Sequence, residues 1–222
     1  MKRFAVIGLG NFGFYTAKTL YEEKNEVIAI DLDKSRVQAI DQFATEAVVL
    51  DATDKESLRS LGIVEMDGVI VCTGTKLSTS TMICLYLHEI GVKKILAKAL
   101  DEDHGKILTK VGATDIIFPE RDMAVRTARG LSHPNVLDFI PLSDEFNLVQ
   151  IEPPRDYIGK SIKALNLRAK HNVHIIAIKQ RFPEEFILVP PPEYIIKDTS
   201  ILIILGKSDD INSIKAIKKV LK

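Results

Sequence analysis

Phe4 to Gly13 reads F-A-V-I-G-L-G-N-F-G, and this string constrains the fold more than any other in the chain. Phe4 to Ile7 is short and wholly apolar, the pattern of a parallel strand covered on both faces. Gly8 permits the tight turn out of that strand, Gly10 leaves backbone open to the close approach of a pyrophosphate, and Gly13 lets the next helix pack against the sheet. The helix that starts there offers unpaired amides and the positive end of its dipole to an anion. The next apolar run, Glu26 to Ile30, ends in Asp31, whose carboxylate is placed to accept hydrogen bonds from ribose hydroxyls. Glycines alone would be a weak signal. Strand, glycines, helix and an acid about 20 residues further on form a dinucleotide-binding fingerprint.

The alternation continues beyond Asp31. Strands are expected at Phe4–Ile7, Glu26–Asp31, Ala47–Asp51, Gly68–Thr73, Ile95–Ala99 and Asp115–Phe118, with segments of helical spacing between them. Asp33, Thr53, Ser78 and Asp101 stand where those helices should start, and Gly62, Gly91 and Gly112 where they should stop. Six strands with connecting helices imply an α/β, Rossmann-like doubly wound parallel sheet over residues 1–118, in the order 3-2-1-4-5-6. A ligand crevice should lie over the carboxyl ends of strands one and four.

After Phe118 the pattern changes. Residues 119–133 read as a helix that opens on Pro119, with Met123, Ala124, Thr127, Ala128 and Leu131 on one face. Pro134 breaks it. Residues 135–140 read as a second short helix closed by Pro141, so residues 119–141 are expected to form a helix–turn–helix elbow. The apolar face can pack on its own domain or on a second copy of it. Residues 142–222 are expected to fold as a small α+β lobe. Its strands fall at Phe146–Glu152, Val173–Lys179, Phe186–Val189 and Ser200–Leu205, and its helices over Gly159–Ala169 and Asp209–Leu221.

Three further segments should line the crevice. Asp51-Ala52-Thr53 follows strand three, at the adenine edge, where Thr53 serves either as a helix cap or as an adenine contact. Thr73-Gly74-Thr75 follows strand four and leaves room for a nucleotide. Lys98 in strand five reaches a phosphate or pairs with an acid. Asp31 repels a 2′-phosphate, which favours NAD(H) or ATP/ADP over NADP, and Arg36 lies over the adenine or reaches a phosphate.

No catalytic constellation is visible. His88, His104, His133, His171 and His174 show no triad-like partner and no H-E-x-x-H; His171 and His174 read as surface histidines and not a metal pair. Asp101-Glu102-Asp103 reads as carboxylates at a helix N-terminus. Thirty basic and thirty acidic side chains leave no net charge, which argues against a nucleic-acid partner. Cys72 and Cys84 lie in apolar segments without C-x-x-C spacing and read as reduced core cysteines of a cytosolic protein. No signal segment is expected ahead of the first strand, and no apolar stretch approaches the roughly 18 residues that cross a bilayer.

F-A-V-I-G-L-G-N-F-G, A-I-D at 29–31, L-D-A-T at 50–53, V-I-V-C-T-G at 69–74 and F-P-E-R-D-M-A at 118–124 resemble the RCK (KTN) domain of cytosolic regulators of bacterial potassium transport, the KtrA and TrkA family. S-I-K-A-L-N-L-R at 161–168 and I-L-I-I-L-G at 201–206 are similar to the smaller C-terminal RCK lobe, so the resemblance covers essentially the whole chain. It implies a non-enzymatic regulatory subunit, cytoplasmic and peripheral at the inner face of the plasma membrane. Homodimers would assemble into an octameric ring beneath a membrane potassium channel or transporter. ATP, ADP, AMP or NAD(H) would bind the N-lobe as regulatory ligand, with a divalent cation, and cyclic di-AMP would bind between paired C-lobes in some members. By position, Gly8, Gly10 and Gly13 would cradle phosphates, with Asn11 and Phe12 beside them. Asp31 would hold the ribose, with Leu32 next to it, and Asp51, Ala52 and Thr53 would border the adenine. Thr73, Gly74, Arg36 and Lys98 complete the expected cofactor-binding set. Glu120 resembles an acid that joins nucleotide-linked cation binding, or is simply a helix N-terminal carboxylate. Arg168 is the candidate for a cyclic dinucleotide phosphate. Many members carry Arg where this chain has Asn11, which removes a cation and tilts preference toward ADP, AMP or NAD(H). The alternative readings are a small NAD-dependent oxidoreductase, which needs a proton donor beside the nicotinamide, and a redox-sensing DNA-binding repressor, which needs a basic recognition helix.

Overall fold

A computed structural model describes residues 1–73, 76–132, 136–143 and 145–214. The chain divides into two compact units, Met1–Glu120 and Arg121–Lys222.

The first unit is a six-stranded parallel sheet of β1 (Arg3–Ile7), β2 (Glu26–Asp31), β3 (Glu46–Val49), β4 (Gly68–Val71), β5 (Ile95–Lys98) and β6 (Asp115–Ile117), in the order β3-β2-β1-β4-β5-β6. The expected strand order holds, and the order reverses between β1 and β4. α1 (Asn11–Glu22), α2 (Lys34–Ile40), α3 (Lys55–Ser60), α4 (Leu77–Glu89) and α5 (Glu102–Lys110) connect the strands. One apolar layer joins Ile7, Val71, Ala97 and Ile95 to Leu58, Ile83, Leu87 and Leu108. The layer on the opposite face joins Val6, Ala29, Ile70 and Cys72 to Ala17, Val37 and Ile40. Strands covered on both faces explain the unbroken apolar runs.

The helix stops are where the glycines place them: Gly62, Gly91 and Gly112 take φ of 65°, 96° and 112°, the left-handed region in which a side chain is strained. Two starts differ. Asp54, not Thr53, caps α3, accepting from Glu56 N at 3.3 Å, because the Thr53 hydroxyl is turned back onto Asp51. α4 begins at Leu77, one residue before Ser78, and has no side-chain cap.

α6 (Pro119–Ser132) is the expected helix, and its apolar face is bare: Met123 is 58% and Leu131 80% exposed. The second helix of the elbow is not present. Val136–Pro141 is a strand, β7, which pairs antiparallel with β8 (Phe146–Ile151). Between its prolines the segment is rich in β-branched and aromatic residues, and pairing with β8 satisfies its backbone better than one isolated helical turn. Residues 133–135 lie outside the described set.

β9 (His174–Gln180), β10 (Glu185–Leu188) and β11 (Ser200–Lys207) complete a five-stranded sheet of order β10-β9-β11-β8-β7, antiparallel throughout. The helix expected over Gly159–Ala169 is split. Gly159 has φ +79°, Ser161 caps α7 (Ile162–Leu165), and Asn166 at φ +49° separates it from α8 (Leu167–His171). A short helix, α9 (Ser208–Asn212), follows β11, and the expected helix beyond residue 214 falls outside the described residues. Val149, Ile151, Ile178, Leu202 and Ile204 pack on Leu165, Leu167, Ile196 and Ile211 as this unit's core.

Candidate functional site: a cleft at the carboxyl ends of β1 and β4

The turn after β1 is held by contacts that only glycine permits. Gly8 has φ +94°, and a Cβ there would stand 2.8 Å from Thr73 N. A Cβ at Gly13 would lie 1.8 Å from Gly8 O and 3.2 Å from Cys72 Cβ, so α1 packs against the turn as the spacing predicts. Gly10 differs: a Cβ there would meet no protein atom within 4 Å, because that side of the turn faces the cleft. The cleft has a volume of about 500 Å³, within the roughly 300–1,000 Å³ usual for small-molecule sites.

Gly8, Gly10, Asn11 and Phe12 form one wall, Asp31, Leu32 and Arg36 a second, and Asp51, Ala52 and Thr53 a third, with Thr73, Lys98 and Glu120 across from them. The cleft thus collects residues from five strand ends. Gly13 supports it from behind, and Gly74 lies outside the described residues. Arg168 is exposed on α8 of the second unit and is not among the lining residues.

The Asp31 carboxylate accepts from Leu9 N at 2.6 Å through Oδ2 and from Asp33 N at 2.9 Å through Oδ1. Oδ1 keeps a lone pair for a further donor, whereas Oδ2 also accepts from Arg36 Nη1 at 3.5 Å. Arg36 lies 3.5 Å from Asp31 Oδ2 and 3.8 Å from Asp33 Oδ2, so its charge is committed to these two acids. Asp51 Oδ1 accepts from the hydroxyl and the amide of Thr53, at 2.6 and 2.9 Å. These bonds, the hydroxyl's first, hold its carboxyl below the usual carboxylate range. Lys98 takes the acid alternative and donates to Glu120 Oε1. That bond is the main reason Glu120 is held below the ordinary glutamate range.

Two observations single this cleft out as a place for an anion. Asp33, Asp54 and Asp101 cap α2, α3 and α5. α1 and α4, which start at the cleft, have neither a capping side chain nor an acid in the first turn, so their terminal amides are left to another partner. In addition, Thr73 Oγ1 is buried and has no hydrogen-bond partner among the described residues, whereas buried hydroxyls nearly always find one.

The sequence reading missed Lys76, Thr79 and Ile83, which also line the cleft. The signal was available, since α4 starts directly after strand four at the switch point. Cys72 lies on the floor of the cleft, and burial pushes its thiol up to about 12, as it does that of Cys84. Neither forms a disulfide. Asp101 caps α5 through His104 N at 2.8 Å, as expected of that acidic run. His171 Nδ1 is 2.7 Å from Ser213 Oγ. Among the described residues no group of three metal-ligating side chains occurs, and no helix is long and apolar enough to cross a membrane.

Residues 4–119 match the TrkA-N domain and residues 148–219 the TrkA-C domain. Ktr system potassium uptake protein A of Bacillus subtilis is 43% identical over 210 residues, covering 95% of this chain and 94% of that protein. Protein C of the same system and organism is 41% identical over 95% of each chain. Protein A of Vibrio alginolyticus is 32% identical over 97% of this chain and 98% of its own length. Among solved structures, the GsuK RCK domain superposes with a TM-score of 0.54 at 26% identity, across 94% of this chain and 44% of that one. The GsuK channel bound to NAD gives 0.54 at 27%, across 95% and 37%. With both domain models matched in order and relatives above 40% identity along nearly their whole length, the chain belongs to the TrkA-N/TrkA-C family of potassium uptake proteins, with the RCK fold.

Proposed function

We propose that this chain is a nucleotide-sensing regulatory subunit of a potassium uptake system, and that its cleft reads a nucleotide without transforming it. The observation that carries the reading is the orphaned Thr73 hydroxyl in a cleft where two uncapped helix starts meet Asp31. Pyrophosphate is the group these parts fit: Gly10 leaves it room, and the first-turn amides of α1 and α4 donate to it. Asp31 takes the ribose hydroxyls, Ala52 and Leu32 flank the base, and Lys76 balances charge. The NAD-bound state of the 27% identical GsuK channel supports the same use of the fold. With Arg36 paired to Asp31 and Asp33, the cleft suits a diphosphate-bearing ligand such as ADP or NAD(H), with AMP and ATP as competitors.

The relatives are potassium uptake proteins, which supports sensing over hydride transfer. So does the chemistry at hand: burial pushes the Cys72 thiol up to about 12, which makes it a poor proton donor. The partner is a membrane-embedded potassium-conducting subunit, with this chain peripheral on its cytoplasmic side. The bare face of α6 supports a homodimer, and rings of dimers, octamers in this reading, couple the sites. A ligand shifts such an assembly only by its differential affinity for two states. Switching from 1:99 to 99:1 takes about 5.5 kcal/mol, under about 1 kcal/mol for each of eight sites.

The test is potassium uptake in cells that lack their own system and carry this chain with a cognate membrane subunit. Uptake that depends on the chain and is lost in Asp31→Ala supports the proposal. Uptake indifferent to the chain contradicts it.

A further inference from the structure

Lys98 is a buried lysine, 9% exposed, at the end of β5. An ammonium taken out of water needs an anion at close range, and Glu120 supplies it. The pair is lopsided, because the glutamate side chain is 68% exposed. Glu120 is the second residue of α6, the helix through which the chain passes from the first unit into the second.

The sheet register places this pair beside the glycine turn. Ile7, Val71 and Ala97 are aligned across β1, β4 and β5, so Lys98 is level with Gly8 and Cys72, one residue further on. By strand alternation Lys98 shares the Cys72 face of the sheet. A Cβ at Gly13 would also lie 3.2 Å from Cys72 Cβ, beyond its clash with Gly8 O. Neighbouring strands are about 4.8 Å apart, so the Lys98 backbone stands one strand from the residue that backs the first turn of α1, and Gly8, Cys72, Lys98 and Glu120 all border one cleft.

We infer that Lys98 is shared between Glu120 and the phosphate of a bound nucleotide, so that the first turn of α6 registers the charge placed at the glycine turn. The buried cation cannot leave, while the wet carboxylate can be solvated. A phosphate arriving at the α1 amides therefore draws Lys98 toward itself and releases Glu120. Lys98 acts here as a positioning residue, and the inference rests on the nucleotide reading of the cleft.

The test uses the full chain with ADP as probe, in EDTA, with calorimetry for affinity and hydrogen exchange for the start of α6. ADP is expected to lower protection of the amides at 123–126, which bond the carbonyls of the first turn of α6. Glu120→Gln, which removes the competing charge, should tighten ADP by about fivefold or more and make that turn indifferent to ADP. Lys98→Met should weaken ADP, and in that background Glu120→Gln should change nothing further. Residue 120 is on the surface, so the Glu120→Gln arm decides the matter even if Lys98→Met does not fold. Unchanged or weaker ADP binding in Glu120→Gln overturns the inference. So does a weakening seen with magnesium and abolished by EDTA, which would make Glu120 a cation ligand. Failure of ADP, ATP and NADH to bind the unsubstituted chain overturns the nucleotide reading as well, whereas equal binding to every variant overturns this inference alone.

Discussion

The amide of Leu9 donates to Asp31 Oδ2 at 2.6 Å, which ties the glycine turn after β1 to the acid at the end of β2. One carboxylate therefore both fixes the glycine turn and lines the cleft. Asp31→Ala should lower affinity for ADP and NADH by more than about tenfold, some 1.4 kcal/mol, by calorimetry. It should also cost about 1.5–3 kcal/mol of stability, the usual value of a hydrogen bond to a charged group, in urea unfolding.

Gly13 and Gly10 should respond in opposite ways to the same methyl. Gly13→Ala drives a Cβ to 1.8 Å from the Gly8 carbonyl, and backbone cannot step aside cheaply. A loss of about 3 kcal/mol or more, or failure to fold, is expected. Gly10→Ala meets nothing within 4 Å, so stability should stay within about 0.5 kcal/mol while the methyl blocks the ligand. Thermal melts and calorimetry on the two variants separate these outcomes.

What could be read in advance follows from where local chemistry decides. Glycine spacing, the acid after β2 and the apolar strands are local, and they placed the sheet order and most of the cleft wall. The misses needed tertiary information. Val136–Pro141 has too few residues for a helix to hold together, and the strand appears only because β8 lies beside it. Thr53 resembles a cap until Asp51 takes its hydroxyl. Asn166 breaks a helical pattern by adopting φ +49°, which nothing in the surrounding periodicity announces. Lys98 had two chemically sound partners, and only the fold brings Glu120 to it.

Thr73→Val tests the orphaned hydroxyl. Removing a buried oxygen that has no partner among the described residues relieves a desolvation cost of about 1–3 kcal/mol. Stability should hold or rise while ADP affinity falls. A drop in stability with affinity intact would mean that the hydroxyl serves the fold.

His104 should set the acid limb of stability. Leu100 N donates to its Nδ1 at 3.2 Å, which leaves the proton on Nε2, 3.1 Å from Ser80 Oγ. Burial lowers its affinity for a second proton below the ordinary 6.5, against a smaller opposing effect of Asp101. The unfolded chain therefore binds more protons than the folded one as pH drops through about 6.5, and stability declines from there downward. His104→Gln should flatten that decline in urea titrations between pH 7 and 5.

The most direct test of the central claim is calorimetry of the purified chain with NADH, ADP and ATP, with NADH absorbance followed throughout. Saturable binding of one nucleotide per chain, abolished by Gly10→Ala, with the NADH absorbance constant over hours, is the expected result. Absence of binding by all three, or steady oxidation of NADH by the chain, would contradict it.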